Sequence, residues 1–166
     1  DQMRYEGFGP NGTSIIVEAL TDNRNRTASN VRSAFQKFGG SMGETGSVSH
    51  AFNHYGFVRY NKDVTSEEDF FNFSIEGGAE DCFIEEDTYE AVSTPETLSN
   101  LYNYLDKKFG EPVSSGFQWK PVTYVAIEGD KLKSLINLLN ELDNDEDVQQ
   151  VFSNFEASDE ELAKFA

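Results

Sequence analysis

Apolar and polar residues recur along this chain with two periods, the alternation typical of β-strands and the three-to-four-residue spacing typical of helices. The first pattern predicts strands at residues 13–20, 47–52, 57–61, 81–86, 88–93, 117–120, 122–128 and 147–155. The second predicts helices at residues 25–38, 65–77, 94–110 and 130–142. The glycine-rich segment 5–12 is predicted to be a loop or a short edge strand, and the polar segment 156–166 to fray or to form a short helix.

The order of these elements predicts an α+β fold. Residues 57–120 follow the order strand, helix, strand, strand, helix, strand, which is the split βαβ pattern of the ferredoxin-like fold. The two flanking segments each supply a strand, a helix and a strand, and together they complete the same pattern. We therefore predict two ferredoxin-like domains, one inserted into the other, each an antiparallel sheet with helices on one face. Residues 1–55 and 121–166 are predicted to form the discontinuous domain, and residues 56–120 the inserted domain.

Composition narrows the class of protein. Of the 166 residues, 37% are hydrophobic and 13% are aromatic, which is too many for a disordered chain. The sequence contains no run of about 18 apolar residues, so it predicts no transmembrane helix. The single cysteine, Cys82, excludes an internal disulfide and is compatible with a reducing compartment.

The charge of the chain is distributed unevenly. The formal net charge is −17, yet residues 1–60 contain six basic and five acidic residues, whereas residues 61–166 contain seven basic and 25 acidic residues. DNA and RNA bind Lys and Arg because these side chains neutralise phosphates. Any nucleic-acid contact is therefore expected in the first third of the chain. The remainder is expected to repel phosphate or to meet a basic protein surface.

The densest basic cluster lies at the predicted start of the first helix. Arg24, Arg26, Arg32 and Lys37 occur there, with Asp22 as the acidic residue among them. The free amides and the dipole at a helix N-terminus also favour anions. These four basic residues are the candidates for nucleic-acid binding through phosphate. The alternative is that Arg24 and Arg26 pair with the acidic inserted domain and fix the arrangement of the two domains.

Other motifs do not indicate catalysis, a cofactor or a metal. Residues 7–12 spell G-x-G-x-x-G, but this segment precedes a strand instead of opening a helix. His50 and His54 are four residues apart without a third ligand type nearby. Residues 143–147 lack the glycine of a calcium loop and are predicted to form a solvated turn. Cys82 is surrounded by acidic residues and is predicted to be structural. We predict no enzyme activity.

Several blocks of the sequence resemble the second and third domains of the YebC family. These blocks are residues 5–10 (YEGFGP), 15–18 (IIVE), 20–27 (LTDNRNRT), 39–40 (GG), 46–48 (GSV), 77–81 (GGAED) and 147–154 (DVQQVFSN). They occur in order over nearly the whole chain. The eight-residue block 20–27 is the most specific of them.

The resemblance implies a non-enzymatic factor in gene expression. Family members are described as DNA-binding transcriptional regulators or as translation factors at the ribosome, with a mitochondrial branch. The family fold includes a basic helical first domain. Because this sequence starts at Asp1, we expect that domain to lie outside it. The first domain is also expected to contribute to binding. The excess of acidic residues in 61–166 favours the translational role, with the ribosome or rRNA as partner. DNA-binding regulation is the alternative, and small-molecule sensing is a third. The expected location is the cytoplasm, or the mitochondrial matrix for an organellar member.

Overall fold

The computed structural model describes residues 1–165, and the chain divides into two compact units. Asp1–Asn53 and the chain from Lys120 onwards form the discontinuous unit, and His54–Trp119 form the inserted unit. The strands are β1 (Gln2–Phe8), β2 (Ser14–Leu20), β3 (Ser41–Met42), β4 (Phe52–Asn61), β5 (Asp81–Ile84), β6 (Thr88–Ser93), β7 (Ser114–Pro121), β8 (Val125–Ala126), β9 (Val148–Ser153) and β10 (Phe155–Glu156). The helices are α1 (Arg24–Lys37), α2 (Glu67–Glu76), α3 (Leu98–Phe109), α4 (Gly129–Asp143) and α5 (Asp159–Ala163). The predicted α+β class with antiparallel sheets is confirmed.

The discontinuous unit is built on a four-stranded sheet in the order β3-β1-β2-β9. Its strand pairs are antiparallel, and β1 pairs with β2 along its whole length. Helices α1 and α4 cover one face of this sheet. Val31 and Phe35 of α1 and Leu135 of α4 pack there against Ile15 and Val17 of β2, and all five side chains are buried. This core joins the first and last parts of the chain.

The sheet of the discontinuous unit differs from the prediction in two of its four strands. Residues 47–52 do not form a strand; they contain a turn of 3₁₀ helix at Ser49–Ala51, and β4 begins only at Phe52. Residues 122–128 contribute only the two-residue β8, which pairs in parallel with β10. The central position between β2 and β3, where residues 122–128 were expected, is occupied by β1. The sequence indicated β1 only as a loop or a short edge strand.

The inserted unit follows the predicted split βαβ order. Its elements are β4, α2, β5, β6, α3 and β7, and its sheet has the order β5-β6-β4-β7. Helices α2 and α3 bury Phe70, Leu101 and Leu105 against the side chains of Val58 and Tyr60 on β4. Helix α2 begins within the predicted span, with Ser66 as its N-cap; the Ser66 hydroxyl accepts the amide of Asp69 at 3.2 Å.

None of the helices in residues 1–165 combines the length and the apolar character needed to cross a membrane.

Candidate nucleic-acid interface on the first helix

Helix α1 begins with a network of short polar side chains. Asn23 is the N-cap, and its side-chain oxygen accepts the amide N–H of Arg26 at 3.0 Å. The hydroxyl of Thr21 accepts the amide of Asn23 at 2.9 Å, and the buried hydroxyls of Thr21 and Thr27 lie 2.7 Å apart. The polar residues of the block 20–27 therefore shape the entry into α1, which is a structural role.

Arg26 is held by carboxylates of its own unit. Its guanidinium donates to both oxygens of Asp147 at 2.9 and 3.0 Å and to Asp22 at 2.9 Å. Asp147 also accepts the hydroxyl of Thr27 at 2.7 Å. The hydrogen bond from Thr27 and the charge of Arg26 hold the pKa of Asp147 below its ordinary value, and Asp147 and Asp22 raise the pKa of Arg26. The positive charge of Arg26 is thus neutralised locally.

The other three basic candidates differ in their partners. Lys37 forms an ion pair with Glu141 of α4 at 2.8 Å. Arg24 forms one with Asp1 at 3.0 Å, and both of these side chains are well exposed. Arg32 is exposed and has no ion pair among residues 1–165. The structure therefore leaves Arg32 as the basic candidate whose charge is not offset by a neighbouring carboxylate.

Helical geometry separates the four basic residues into two groups. At about 100° per residue, Arg26 and Lys37 lie on one side of α1 and Arg24 and Arg32 on another. The exposed residues around Arg32 are polar and carry no negative charge. We call this set the outer face of α1; it consists of Arg24, Asn25, Ser29, Arg32 and Gln36. Helix α1 contains no acidic residue; on its outer face Arg24 pairs with Asp1, and Arg32 has no carboxylate partner among residues 1–165.

The interpretation that Arg24 and Arg26 pair with the inserted domain is wrong. Their ion-pair partners are Asp1, Asp22 and Asp147, all of which belong to the discontinuous unit. The sequence could not identify Asp147 as a partner because 121 residues separate it from Arg26. The antiparallel pairing of β2 with β9 brings these two parts of the unit together.

The face of the sheet opposite the helices carries a buried carboxylate that the sequence analysis missed. Glu6 on β1 is only 1% exposed, and it accepts the backbone amides of Gly46, Val48 and Ser49 at 2.9, 3.1 and 2.7 Å. Arg4 donates to it at 3.2 Å. Burial by itself would raise the pKa of Glu6, but these hydrogen bonds outweigh burial and lower the pKa. Glu6 therefore fixes the glycine-rich segment between β3 and β4.

Comparison with known proteins identifies the family. A family model described as the TACO1/YebC second and third domain matches residues 1–155. The chain belongs to the TACO1/YebC family. Its structure is similar to that of a conserved hypothetical protein, Aq1575, from Aquifex aeolicus, with a TM-score of 0.85 and 38% sequence identity. The match covers 96% of this chain and 66% of the Aquifex protein, so it spans just under two thirds of that protein's length.

TACO1/YebC proteins are regulator-type factors in transcription or translation. The family is one of regulatory factors and is not known for enzymes. The blocks that resemble the family have structural reasons in this TACO1/YebC chain. Asn154, at the end of the block 147–154, is buried and accepts the amide of Ser14 at 2.7 Å, which joins the end of β9 to the start of β2. Gly7 allows β1 to approach Phe35 closely.

The remaining motifs occupy ordinary structural positions in this TACO1/YebC chain. Residues 143–147 form the turn between α4 and β9, as predicted. Cys82 lies half-buried on β5, where burial raises the pKa of its thiol. The imidazole of His54 stacks on Trp119 with ring centroids 4.2 Å apart. Residues 1–165 contain no group of three or more His, Cys, Asp or Glu side chains placed to hold a metal ion.

Proposed function

We propose that this protein is a translation factor that associates with the ribosome and that the outer face of α1 contacts RNA phosphates. The family supports a role in gene expression. The finer assignment to the ribosome is our own proposal. It places the protein in the cytoplasm, or in the mitochondrial matrix for an organellar member.

The observation that carries the proposal is the separation of charge between α1 and the rest of the chain. The outer face of α1 presents Arg24 and Arg32 without an acidic residue on the same helix. The inserted unit contains 14 acidic and four basic residues, a strong imbalance. A ribosome exposes RNA phosphate and basic protein side by side. Such a surface can bind both the cationic outer face of α1 and the acidic inserted unit. A DNA duplex offers only phosphate, which repels the inserted unit.

DNA-binding regulation is the second candidate, and one observation favours it. Arg24, Asn25, Arg32 and Gln36 on the outer face of α1 are side chains that hydrogen-bond base edges in the major groove. Against it, Arg26 and Lys37 are already paired with carboxylates. Of the four basic candidates, Arg32 is the one without a carboxylate partner among residues 1–165, and affinity for a duplex depends mainly on the number of phosphates that are neutralised.

The test is sedimentation of the full-length protein with purified ribosomes at near-physiological salt. The variant is Arg32→Glu, because Arg32 is exposed and has no ion pair to lose among residues 1–165, so we expect its reversal to leave the fold intact. The matched control is Lys133→Glu, an exposed reversal of equal charge on α4. Duplex DNA serves as competitor. We expect Arg32→Glu to weaken sedimentation with ribosomes, and to reduce the slope of log affinity against log salt by about 1, while the control does neither.

Two results would overturn the proposal. If the protein fails to pellet with ribosomes but binds duplex DNA with sequence preference, the transcriptional candidate is correct. If Arg32→Glu and Lys133→Glu weaken binding equally, the outer face of α1 is not a specific contact and only net charge matters.

A further inference from the structure

The exposed apolar residues of the inserted unit include three at one edge of its sheet. Phe71 and Ile75 of α2 and Ile84 of β5 are 48%, 43% and 41% exposed. Phe71 and Ile84 line a groove of about 530 Å³, together with Cys82 and the carboxylates of Glu67 and Glu68. An apolar groove of this kind with a charged rim is typical of an interaction surface.

The same edge directs backbone groups of Cys82 and Ile84 outwards, and of their amides that of Cys82 is already bound by the Asp81 carboxylate at 2.8 Å. Strand β5 is the outermost strand of the order β5-β6-β4-β7, and no strand formed by residues 1–165 pairs with its outer side. Glu85 donates its amide to Thr88, so Phe83, two residues earlier, also directs its backbone groups towards β6. Ile84, between them, directs its N–H and C=O away from the sheet. An added strand finds its hydrogen-bond partners there.

The charge around the groove selects the chemistry of its occupant. Residues 63–90 contain eleven acidic residues and no basic one. Nucleic acids, anionic membranes and a second copy of this acidic chain are all repelled by such a surface. A segment rich in Lys or Arg is attracted to it, and apolar side chains at every second position of an extended segment suit the groove.

We propose that the groove between α2 and β5 binds an extended basic segment of a protein partner. The segment pairs with the outer edge of β5, places an apolar side chain between Phe71 and Ile84, and directs Lys or Arg side chains at Glu67 and Glu68. This inference goes beyond the proposed function, because it concerns the surface of the inserted unit and holds whichever nucleic acid α1 contacts.

The test is titration of the isotope-labelled full-length protein with a synthetic peptide of alternating lysine and valine, followed by amide chemical shifts. We expect saturable binding, with the largest shifts at residues 67–71 and 82–85 and with hydrogen-exchange protection of the Ile84 amide. Glu67→Lys with Glu68→Lys is expected to weaken binding about tenfold. The control is Glu96→Lys with Glu111→Lys, which reverses the same number of charges at exposed positions outside the groove.

A modified peptide separates strand addition from simple charge attraction and leaves the protein unchanged. N-methylation of alternate peptide amides removes the donors along one edge while it preserves charge and side chains. We expect this peptide to bind at least about tenfold more weakly. The proposal is overturned if binding is not saturable, if the two pairs of charge reversals weaken it equally, or if the N-methylated peptide binds as well as its parent. In each case the acidic residues only keep this sheet edge from pairing with other chains.

Discussion

Arg26 and Asp147 join the first turn of α1 to the start of β9 through hydrogen bonds of 2.9 and 3.0 Å across 121 residues of sequence. The inserted unit lies between them in the sequence, so this contact links the two chain segments that form the discontinuous unit. Thr27 and Asp22 complete the network around the two residues. The basic block at the start of α1 therefore includes one arginine that stabilises the fold and two that face outwards.

Substitution of Asp147 is expected to lower stability more than substitution of other acidic residues nearby. Asp147→Ala removes the acceptor of Arg26 and Thr27 and leaves the buried Thr27 hydroxyl with fewer partners. The measurement is the thermal midpoint of unfolding. Asp143→Ala, an exposed residue at the end of α4, is the control and should leave the midpoint nearly unchanged.

A double-mutant cycle with Arg26→Ala isolates the contribution of the pair. We expect the combined variant to be less destabilised than the sum of the two single variants, because each single change already breaks the same contact. Additive effects would show that Arg26 and Asp147 act separately, and the assigned role of the pair would be wrong.

The inserted unit could be predicted from the sequence because its signals are local. Hydrophobic spacing placed α2 and α3, Ser66 caps α2 with its side chain, and Gly110 ends α3 with a φ of +84°. These features act over a few residues, so a reading of the sequence alone captures them. The order of strands then follows from the order of elements.

The position of β1 in the sheet of the discontinuous unit could not be predicted, because it depends on contacts between distant residues. Glu6 and Gly7 interrupt the apolar pattern of β1, and both are there for tertiary reasons. Val48 and Phe52 alternate as in a strand, but the amides of that segment bind the Glu6 carboxylate instead of a neighbouring strand. The candidate basic residues were visible in the sequence, whereas their carboxylate partners were not.

Glu6→Gln is expected to destabilise the protein by roughly 1–3 kcal/mol, because an amide replaces the charged acceptor of three backbone N–H groups. Hydrogen exchange of the amides of Gly46, Val48 and Ser49 should accelerate more than exchange in the inserted unit. Glu44→Gln lies in the same segment but is exposed, and it should change stability by no more than about 0.5 kcal/mol. Equal effects of the two substitutions would contradict the role given to Glu6.

Acid should reduce the advantage of the wild-type protein over Glu6→Gln. The pKa of Glu6 in the folded protein lies below its ordinary value of 4.5, so the unfolded chain binds its proton first as the pH falls. The stabilisation by the carboxylate is therefore complete above about pH 4.5 and is lost as the pH falls through the lowered folded value. Urea unfolding of both proteins between neutral and acidic pH measures the difference in free energy. A difference that grows on acidification would show that the pKa is raised instead.

Gly7→Ala is expected to destabilise the discontinuous unit by about 1–3 kcal/mol through overpacking. An added Cβ at Gly7 meets the ring of the buried Phe35 and the carbonyl oxygen of Ser41, each at 2.7 Å. Gly12→Asn is the control, because its φ of +73° is one that asparagine tolerates and nothing lies within 4 Å of the added Cβ. Chemical denaturation of the two variants should separate them clearly. A neutral Gly7→Ala would mean that β1 can move away from α1 at little cost.

Arg59 and Glu90 face each other on β4 and β6 of the inserted unit, 2.9 Å apart, and Glu90 is only 2% exposed. Arg59→Leu removes the Arg59 cation from this buried carboxylate, while Gln118 still donates to it at 2.8 Å. We expect a loss of roughly 2–3 kcal/mol in the free energy of unfolding. Glu90→Leu in the same chain should recover much of that loss, because two apolar side chains replace a desolvated ion pair. A double variant that is less stable than Arg59→Leu alone would contradict this account. The pair would then stabilise the sheet mainly through its other hydrogen bonds, such as that from Arg59 to Ser114 at 3.2 Å.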